Sequence, residues 1–311
     1  MIEKIENITW EDFIDDTYSK DYQMQDFIYR GQSNEYTTSG EFNKWKVKSS
    51  FNRFYTKENY RFSSFLDQHL NDTLFTSTYG NYEFVKRTKL IDSDFLTRLY
   101  FLQHYSIPTC LLDFTFNPLV ALYFSMSSLK GHQGGQYDIN GFPLFYPDEC
   151  KITIYRINYK ILIEKFNLEE INKELLSDFV KYQRYKQSIS DYTYSYIGID
   201  LFPYKKISSS VDNYNLKKQD SAFILFDNLY SEQYGLIEFL IEQAKSNNIQ
   251  FDKPMIKEYN INYNCLYSPM HSKQPDYIPA FRYLEENGIT GKKLFNDYQS
   301  LRYDFNFFHN K

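Results

Sequence analysis

Residues 103–125 read QHYSIPTCLLDFTFNPLVALYFS, and this stretch decides the predicted fold. Pro108 ends the apolar helical pattern that precedes it, and TCLLDF is typical of a buried strand. Asn117 followed by Pro118 predicts a helix start, because asparagine caps helices and proline at the first helical position loses no hydrogen bond. The stretch therefore predicts a strand, a turn and an apolar helix, with an acidic residue, Asp113, in its most hydrophobic part.

Asp113 requires an explanation, because a buried carboxylate without a partner is costly. In one interpretation it forms an Asx-turn that organises the helix start at Asn117. In the other, the carboxylate is used, for example to position Arg30 in the earlier segment FIYRGQ. The residues alone leave both interpretations open.

Working outward, the chain alternates irregularly between predicted strands and helices. Thr9, with Asp12 three residues later, predicts a capping box at the first helix. Strands are predicted at 27–32 (ending at Gly31), 109–114, 151–157 and 221–226, and helices at 57–71, 94–105, 169–187, 235–248, 275–287 and 291–298. This order favours an α+β fold, with a mixed or antiparallel central sheet flanked by helices. One domain is expected over residues 1–311, with a loop insertion at 130–149.

Composition narrows the function classes. The net charge of −5 gives no global basic field for nucleic acid, although KYQRYK at 181–186 and the tyrosine-rich segment 182–214 leave a polyanion contact open. Three separated cysteines argue against a disulfide framework. No apolar run approaches the roughly 20 residues needed to span a bilayer, so a cytoplasmic protein without membrane contact is expected.

The tetrapeptide Tyr29-Arg30-Gly31-Gln32 is the first candidate for chemistry. An arginine at the end of an interior strand, beside a glycine that admits close backbone approach, suits a phosphate or carboxylate ligand. The alternative is a turn arginine in a salt bridge. His104 is either a packed, hydrogen-bonded residue or a base.

Searches for metal and nucleophile motifs find nothing. The five histidines are dispersed, with no HxxH or HExxH pairing, so no metal site is expected. There is no Walker loop, no GxGxxG and no GxSxG. Cys110, in the predicted buried strand, is interpreted as a small core residue.

These motifs resemble the FRG domain family, which is named for a Phe/Tyr-Arg-Gly motif near its start. Residues 29–32 match that motif, and residues 103–125 are similar almost throughout to the family's longest signature, Gln-His-Tyr-Gly-hydrophobic-Pro-Thr-Arg-Leu-Leu-Asp-Trp-Thr, followed by Asn-Pro and Ala-Leu-Tyr-Phe-Ala. LKKQDSAFILF and NGITGKKLFNDYQSL resemble two later segments. Three residues depart from the pattern: Ser106 for glycine, Cys110 for arginine and Phe114 for tryptophan.

The family pattern also looks like a distant version of the ADP-ribosyltransferase fold. The resemblance implies an NAD-consuming enzyme, a transferase or a glycohydrolase, with NAD as substrate, a protein or nucleic-acid target and a role in bacterial anti-phage defence or toxin activity. It implies a catalytic set of Arg30, Asp113 and Gln219. It implies NAD-binding residues at Tyr29, Arg30, Gly31, Gln32, His104, Thr109, Thr115 and Tyr123.

Two alternatives stay open beside this one. Because Gln219 supplies no charge where such transferases use a carboxylate, and because Cys110 replaces a cation, the same cleft could belong to a non-catalytic nucleotide- or partner-binding domain. A nucleic-acid-modifying effector is the third possibility, and it rests on the basic and tyrosine-rich segments alone.

Overall fold

An eight-stranded mixed sheet crosses the protein, in the order β1-β10-β6-β2-β5-β9-β8-β7. The computed structural model describes residues 1–17, 26–33, 35–36, 42–43, 46–54, 72–82, 85–86, 90–104, 107–127, 151–178, 181, 195–206, 214–228, 235–262 and 279–294. The strands of this sheet are β1 (Ile2–Ile8), β2 (Phe27–Ser33), β5 (Leu111–Thr115), β6 (Lys151–Asn158), β7 (Glu169–Glu170), β8 (Ser195–Asp200), β9 (Ser221–Asn228) and β10 (Ile256–Asn262). A separate hairpin pairs β3 (Glu35–Tyr36) with β4 (Phe42–Asn43).

The edge strands run parallel to their neighbours, and the interior strands pair antiparallel. The α+β class with a mixed central sheet is therefore confirmed. The described helices are α1 (Trp10–Thr17), α2 (Ser50–Phe54), α3 (Asp72–Tyr79), α4 (Phe95–His104), α5 (Pro118–Ser127), α6 (Tyr159–Phe166), α7 (Tyr214–Lys218), α8 (Leu236–Ser246), α9 (Pro279–Glu286) and α10 (Gly291–Leu294).

Local signals fix the helices next to the site. At α1, the Thr9 main-chain N–H donates to the Asp12 carboxylate (3.0 Å) and the Asp12 N–H donates back to the Thr9 hydroxyl (3.1 Å), which confirms the capping box. At α5, the Leu119 N–H donates to Oδ1 of Asn117 (2.9 Å), one residue before Pro118. The strand, turn and helix predicted from residues 103–125 are confirmed.

Both faces of the sheet are covered by apolar clusters. On one face, α1, α5 and α9 pack over β2, β6 and β10, and α4 packs over β5 and β9. On the other face, α6 and α8 cover the opposite side chains of the same strands. A residue that is open to solvent on a central strand therefore marks a gap in this covering.

Several sequence-based boundaries were wrong. The strand of FIYRGQ continues through Gly31 to Ser33, because β6 supplies a partner for every residue up to that point. Residues 169–187 do not form one helix: Glu169 and Glu170 pair with β8, and helix is described at 173–178 and at 181. The predicted helix at 57–71 and the loop at 130–149 lie outside the described residues.

Candidate functional site

The site begins where β2 and β5 separate. Within the described ranges these two strands share a single register pair, Tyr29 with Thr115, whereas β2 pairs with β6 over its whole length. On the other side of β5, the Phe226 N–H donates to the Cys110 carbonyl (2.9 Å) and the Phe116 N–H to the Asp220 carbonyl (2.9 Å). Even-numbered residues of β5 therefore bond to β9, and odd-numbered ones direct their main-chain groups toward β2.

Arg30 enters the gap that this separation leaves. Its Nη1 donates to the main-chain carbonyl of Asp113 at 2.6 Å. In a continuous sheet this carbonyl would accept a main-chain N–H of the neighbouring strand, so the guanidinium replaces that donor. In the register Arg30 pairs with Tyr155, whereas Tyr29, one residue earlier, shares a face with Thr115 and hence with Asp113. The side chains of Arg30 and Asp113 thus lie on opposite faces of the sheet, and the guanidinium reaches the Asp113 carbonyl through the gap between the strands.

The Arg30 guanidinium is poorly compensated. Burial lowers its pKa to about 10, and the charge of Asp113 offsets only part of this effect. Its Nε is buried and has no hydrogen-bond acceptor among the described residues. A charged group in this condition is typical of functional sites, where a ligand supplies the missing interaction.

Asp113 is the single exposed residue of β5. It is exposed to solvent although it lies on a central strand. The exposed space beside Asp113 and Arg30 is called the cleft below. Burial by the surrounding protein raises the pKa of Asp113, against the lowering effects of Arg30, a hydrogen bond from Gln103 and the charge of Arg53. The prediction that Asp113 lies beside Arg30 is met by this geometry.

Gln103 and Arg53 complete the cleft, and the sequence analysis assigned a role to neither. Nε2 of Gln103 donates to Oδ2 of Asp113 at 2.7 Å, and its Oε1 accepts a hydrogen bond from the Thr109 hydroxyl. Arg53, on α2, interacts electrostatically with both Arg30 and Asp113. Gln103 is the first residue of the stretch 103–125, but a single glutamine is not a recognisable sequence signal for a site. Arg53 is distant from this stretch in sequence and lies in no motif.

The helix start at Asn117 does not need Asp113. The Asn117 N–H donates to the Thr115 hydroxyl (3.0 Å), and the Asn117 side chain caps the helix itself. The Asp113 carboxylate bonds instead to Gln103. The Asx-turn interpretation of Asp113 was therefore wrong, and the aspartate is available to the cleft.

Gly31 serves helix packing. A Cβ atom at Gly31 would lie 1.8 Å from the main-chain oxygen of Ala121 and 2.9 Å from the Ser125 nitrogen, both on α5. The close approach inferred from the sequence is real, but the approaching backbone belongs to α5. The expectation that Gly31 contacts NAD has no geometric support.

Three other expected NAD ligands lie in the interior. Tyr29 is 4% exposed and Tyr123 is 2% exposed, both in the core formed with α1 and α5. The buried Thr115 hydroxyl donates to the main-chain oxygen of Gln219 at 2.6 Å. These side chains hold the strand-turn-helix unit together and do not face the cleft.

Gln219 is remote from the cleft. Its Nε2 donates to the main-chain oxygen of Leu294 (3.2 Å) in α10. Gln219 lies two residues before β9, outside the strand, and its side chain is held at α10. The structure therefore brings Arg30 and Asp113 together and leaves Gln219 apart.

The remaining expected ligands are Thr109, His104 and Gln32. Thr109 is fully buried, and its N–H donates to the Ser50 hydroxyl (3.0 Å). His104 ends α4, directly after Gln103, and is half-buried. Gln32, also half-buried, pairs with Thr153. Thr109 is connected to Asp113 through Gln103.

Cys110 is confirmed as a core residue. It is fully buried, with its Sγ 3.8 Å from Oδ1 of Asp227. Burial and the charge of Asp227 raise its pKa well above the usual value, which suppresses the thiolate that a nucleophile requires.

Among the described residues, no group of three or more histidine, cysteine or acidic side chains could hold a metal ion. No described helix is long and apolar enough to cross a membrane.

Residues 25–133 match the family model described as the FRG domain. This part of the chain, about a third of it, is similar to the FRG domain. The matched segment includes β2, β5 and α5, and it contains Arg30, Gln103 and Asp113. No curated protein and no solved structure matches the chain.

Proposed function

We propose that the cleft between β2 and β5 binds the phosphates of NAD and that the chain is an NAD-consuming enzyme of the ADP-ribosyltransferase type. The observation that carries the proposal is the buried, undercompensated guanidinium of Arg30 beside the solvent-accessible carboxylate of Asp113. Phosphate oxygens are suitable partners for such a guanidinium, because they accept charge-assisted hydrogen bonds in a geometry that arginine matches.

In this proposal the two charged groups have different roles. Arg30, with Arg53, holds the pyrophosphate. Asp113 faces the nicotinamide ribose and stabilises the positive charge that develops at its anomeric carbon as the C–N bond to nicotinamide breaks. The bonding electron pair leaves with nicotinamide, and the oxygen of water or of a target nucleophile bonds to the carbon and releases a proton. Asp113 replaces Gln219 as the proposed catalytic group, because Gln219 bonds to α10.

Incubation of the purified chain with NAD labelled in the nicotinamide ring and in the adenylate tests this proposal. Nicotinamide release is expected, with or without adenylate transfer to added protein or nucleic acid. Arg30→Gln and Asp113→Asn should each reduce release at least tenfold. Arg282→Gln is the matched control, since Arg282 is an exposed arginine paired with Glu286 on α9. The proposal is abandoned if wild type and both cleft variants release nicotinamide at the same background rate.

A non-catalytic nucleotide-binding domain is the second candidate. The position of Gln219 at α10 favours it, because one residue of the implied catalytic set is then missing. The replacement of the family arginine by the buried Cys110 also favours it, because a cation is lost. Calorimetric titration with NAD and ADP-ribose distinguishes the two functions. Binding that is lost in Arg30→Gln, without any nicotinamide release by wild type, supports the binding domain.

The defence or toxin role that the FRG resemblance implies belongs to the same proposal. An NAD-consuming enzyme lowers cellular NAD when expressed, so induction in a bacterial host should deplete NAD and arrest growth. The Asp113→Asn chain, expressed to the same level, should do neither. Growth arrest without NAD depletion would point away from NAD as the substrate.

A further inference from the structure

The Asp113 carboxylate is contacted by a hydrogen-bonded chain of side chains that extends away from the cleft into the protein. Gln103 donates from Nε2 to Oδ2 of Asp113 at 2.7 Å. The Thr109 hydroxyl donates to Oε1 of Gln103, and the Leu111 N–H donates to the Thr109 hydroxyl oxygen at 3.1 Å. The Thr109 N–H in turn donates to the Ser50 hydroxyl at 3.0 Å. Each side chain in this series therefore has its position set by the next one.

The order of donors fixes which end of the Gln103 amide faces the aspartate. The Thr109 oxygen already accepts the Leu111 N–H, and its proton is directed to Oε1 of Gln103. The amide nitrogen must then point at Asp113, where it can only donate. A reversed amide would place a carbonyl oxygen against a carboxylate. A donor at this point favours the charged form of the acid and opposes the effect of burial.

We propose that Gln103 is the positioning residue of the cleft: held in place by the Thr109 hydroxyl, it favours the ionised form of the Asp113 carboxylate and fixes the position of that carboxylate. The charged groups facing Asp113 from the other packed elements are Arg30 on β2 and Arg53 on α2; its β9 neighbour is the apolar Phe223. Both arginines carry positive charge, so they act in the same direction. Gln103 adds the one direct side-chain hydrogen bond to the carboxylate that the described residues provide.

This arrangement has a chemical consequence for the cleft. An ionised carboxylate in a fixed position is what stabilisation of a positive transition state requires, whereas a protonated one supplies no charge. The catalytic part of this inference rests on the proposed NAD cleavage. The ionisation of Asp113 does not, and it is measurable in the protein without any substrate.

The test is a pH titration of the Asp113 carboxyl carbon by NMR, in the full chain labelled with carboxyl-¹³C aspartate and assigned by loss of the signal in Asp113→Asn. Gln103→Leu should raise the titration midpoint by about one pH unit, since a hydrogen bond to a charged group is worth about 1.5 kcal/mol. Gln103→Glu should raise it further, because it adds a negative charge. Gln243→Leu, on α8, is the glutamine control and should leave the midpoint unchanged.

The Thr109 variants test whether the Thr109 hydroxyl holds Gln103 in place. Thr109→Ser keeps the hydroxyl and should retain the wild-type midpoint, whereas Thr109→Val removes the donor and should raise the midpoint by less than Gln103→Leu does. Equal midpoints in wild type, Gln103→Leu and Gln103→Glu overturn the proposal. Thermal unfolding identifies any variant that does not fold. If Gln103→Leu is such a variant, the titration midpoints of Gln103→Glu and Thr109→Val are compared with that of wild type, and equal midpoints overturn the proposal.

The outcome separates this inference from the proposed function. If NAD is cleaved, the acid limb of the kcat/KM profile in Gln103→Leu should move to higher pH by the same amount as the NMR midpoint. If the midpoints move as expected and no nicotinamide is released by wild type, NAD cleavage is wrong and the positioning role stands. If NAD is cleaved and the midpoints do not move, the positioning role is wrong.

Discussion

Replacing Arg30 by methionine separates a functional arginine from a structural one. The neighbouring strand β6 offers a matched control in Arg156, which is buried. Methionine has a similar length and no charge, so both variants remove the guanidinium and keep much of the packing. The two arginines differ in how well the protein compensates them, and this difference predicts opposite results.

The cost of keeping Arg30 charged follows from its pKa. A decrease from 12.5 to about 10 makes the charged form about 3 kcal/mol less favourable in the folded protein. The hydrogen bond to the Asp113 carbonyl returns about 2 kcal/mol, the usual value for a charged donor. The two nearly cancel, so Arg30→Met should leave the free energy of unfolding within about 1 kcal/mol of wild type.

The pKa of Arg156 is shifted in the opposite direction. Burial lowers its pKa, but contacts with Tyr259 and Asp16 outweigh this, and the net shift of the pKa is upward. Its Nη1 lies 3.6 Å from Oδ2 of Asp16 and donates to the Tyr259 hydroxyl at 3.3 Å, and its Cζ lies 3.7 Å from the centre of the Phe27 ring. Arg156→Met should therefore lose about 2–3 kcal/mol, as expected when a buried charged hydrogen bond is removed.

Urea unfolding at pH 7, followed by circular dichroism, measures both variants. NAD titration of the same samples should show binding in Arg156→Met, at a temperature where it is folded, and at least tenfold weaker binding in Arg30→Met. If Arg30→Met is destabilised as much as Arg156→Met, Arg30 is a structural arginine and the reasoning from its pKa to a ligand is wrong.

Four further predictions concern single residues. Gly31→Ala should destabilise by about 2 kcal/mol or more in the same assay, because the new methyl group meets the α5 backbone at Ala121; an unchanged unfolding midpoint would contradict the close contact. Asp113→Asn should be more stable than wild type at neutral pH, since a carboxyl whose folded pKa is raised above 3.8 loses stability as pH rises through the folded value; the gain should shrink on acidification, and a gain that is constant with pH would refute this cause. Asp12→Asn should behave oppositely, because hydrogen bonds from Thr9 lower the pKa of Asp12 and its contribution is lost as pH falls; unchanged stability at neutral pH would argue against it. Cys110 should react with a thiol reagent no faster than the protein unfolds, and labelling of the native protein at the rate of a free thiol would contradict its burial.

The sequence predicted the elements whose signals are local. An Asn-Pro pair, an apolar run and a capping box each specify their own element, so α1, β5 and α5 were located correctly. Strands β1 and β10 were missed because polar side chains interrupt their apolar pattern. In β10, Glu258 and Asn260 are buried and hydrogen-bonded to each other (2.9 Å), which no residue pattern along the chain reveals.

The site was predicted in part for the same reason. Arg30 and Asp113 belong to recognisable motifs, and the fold brings them together. Whether Gln219 joins them depends on the register between β5 and β9, which adjacent residues do not encode. Gln103 and Arg53 enter the cleft only because α4 and α2 pack beside β5, and packing of distant elements is the information that a single sequence lacks.

The three residues of Tyr29-Arg30-Gly31 contact three different parts of the protein. The tyrosine anchors in the interior, the arginine enters the cleft, and the glycine sets the distance to α5. The glycine therefore sets how closely α5 approaches the strand that carries the arginine. Transfer of this motif to a designed protein would reproduce the cleft only together with a helix backbone seated directly on the strand. The unit that would have to be transferred is the strand with its packed helix, because the three residues alone do not create the cleft.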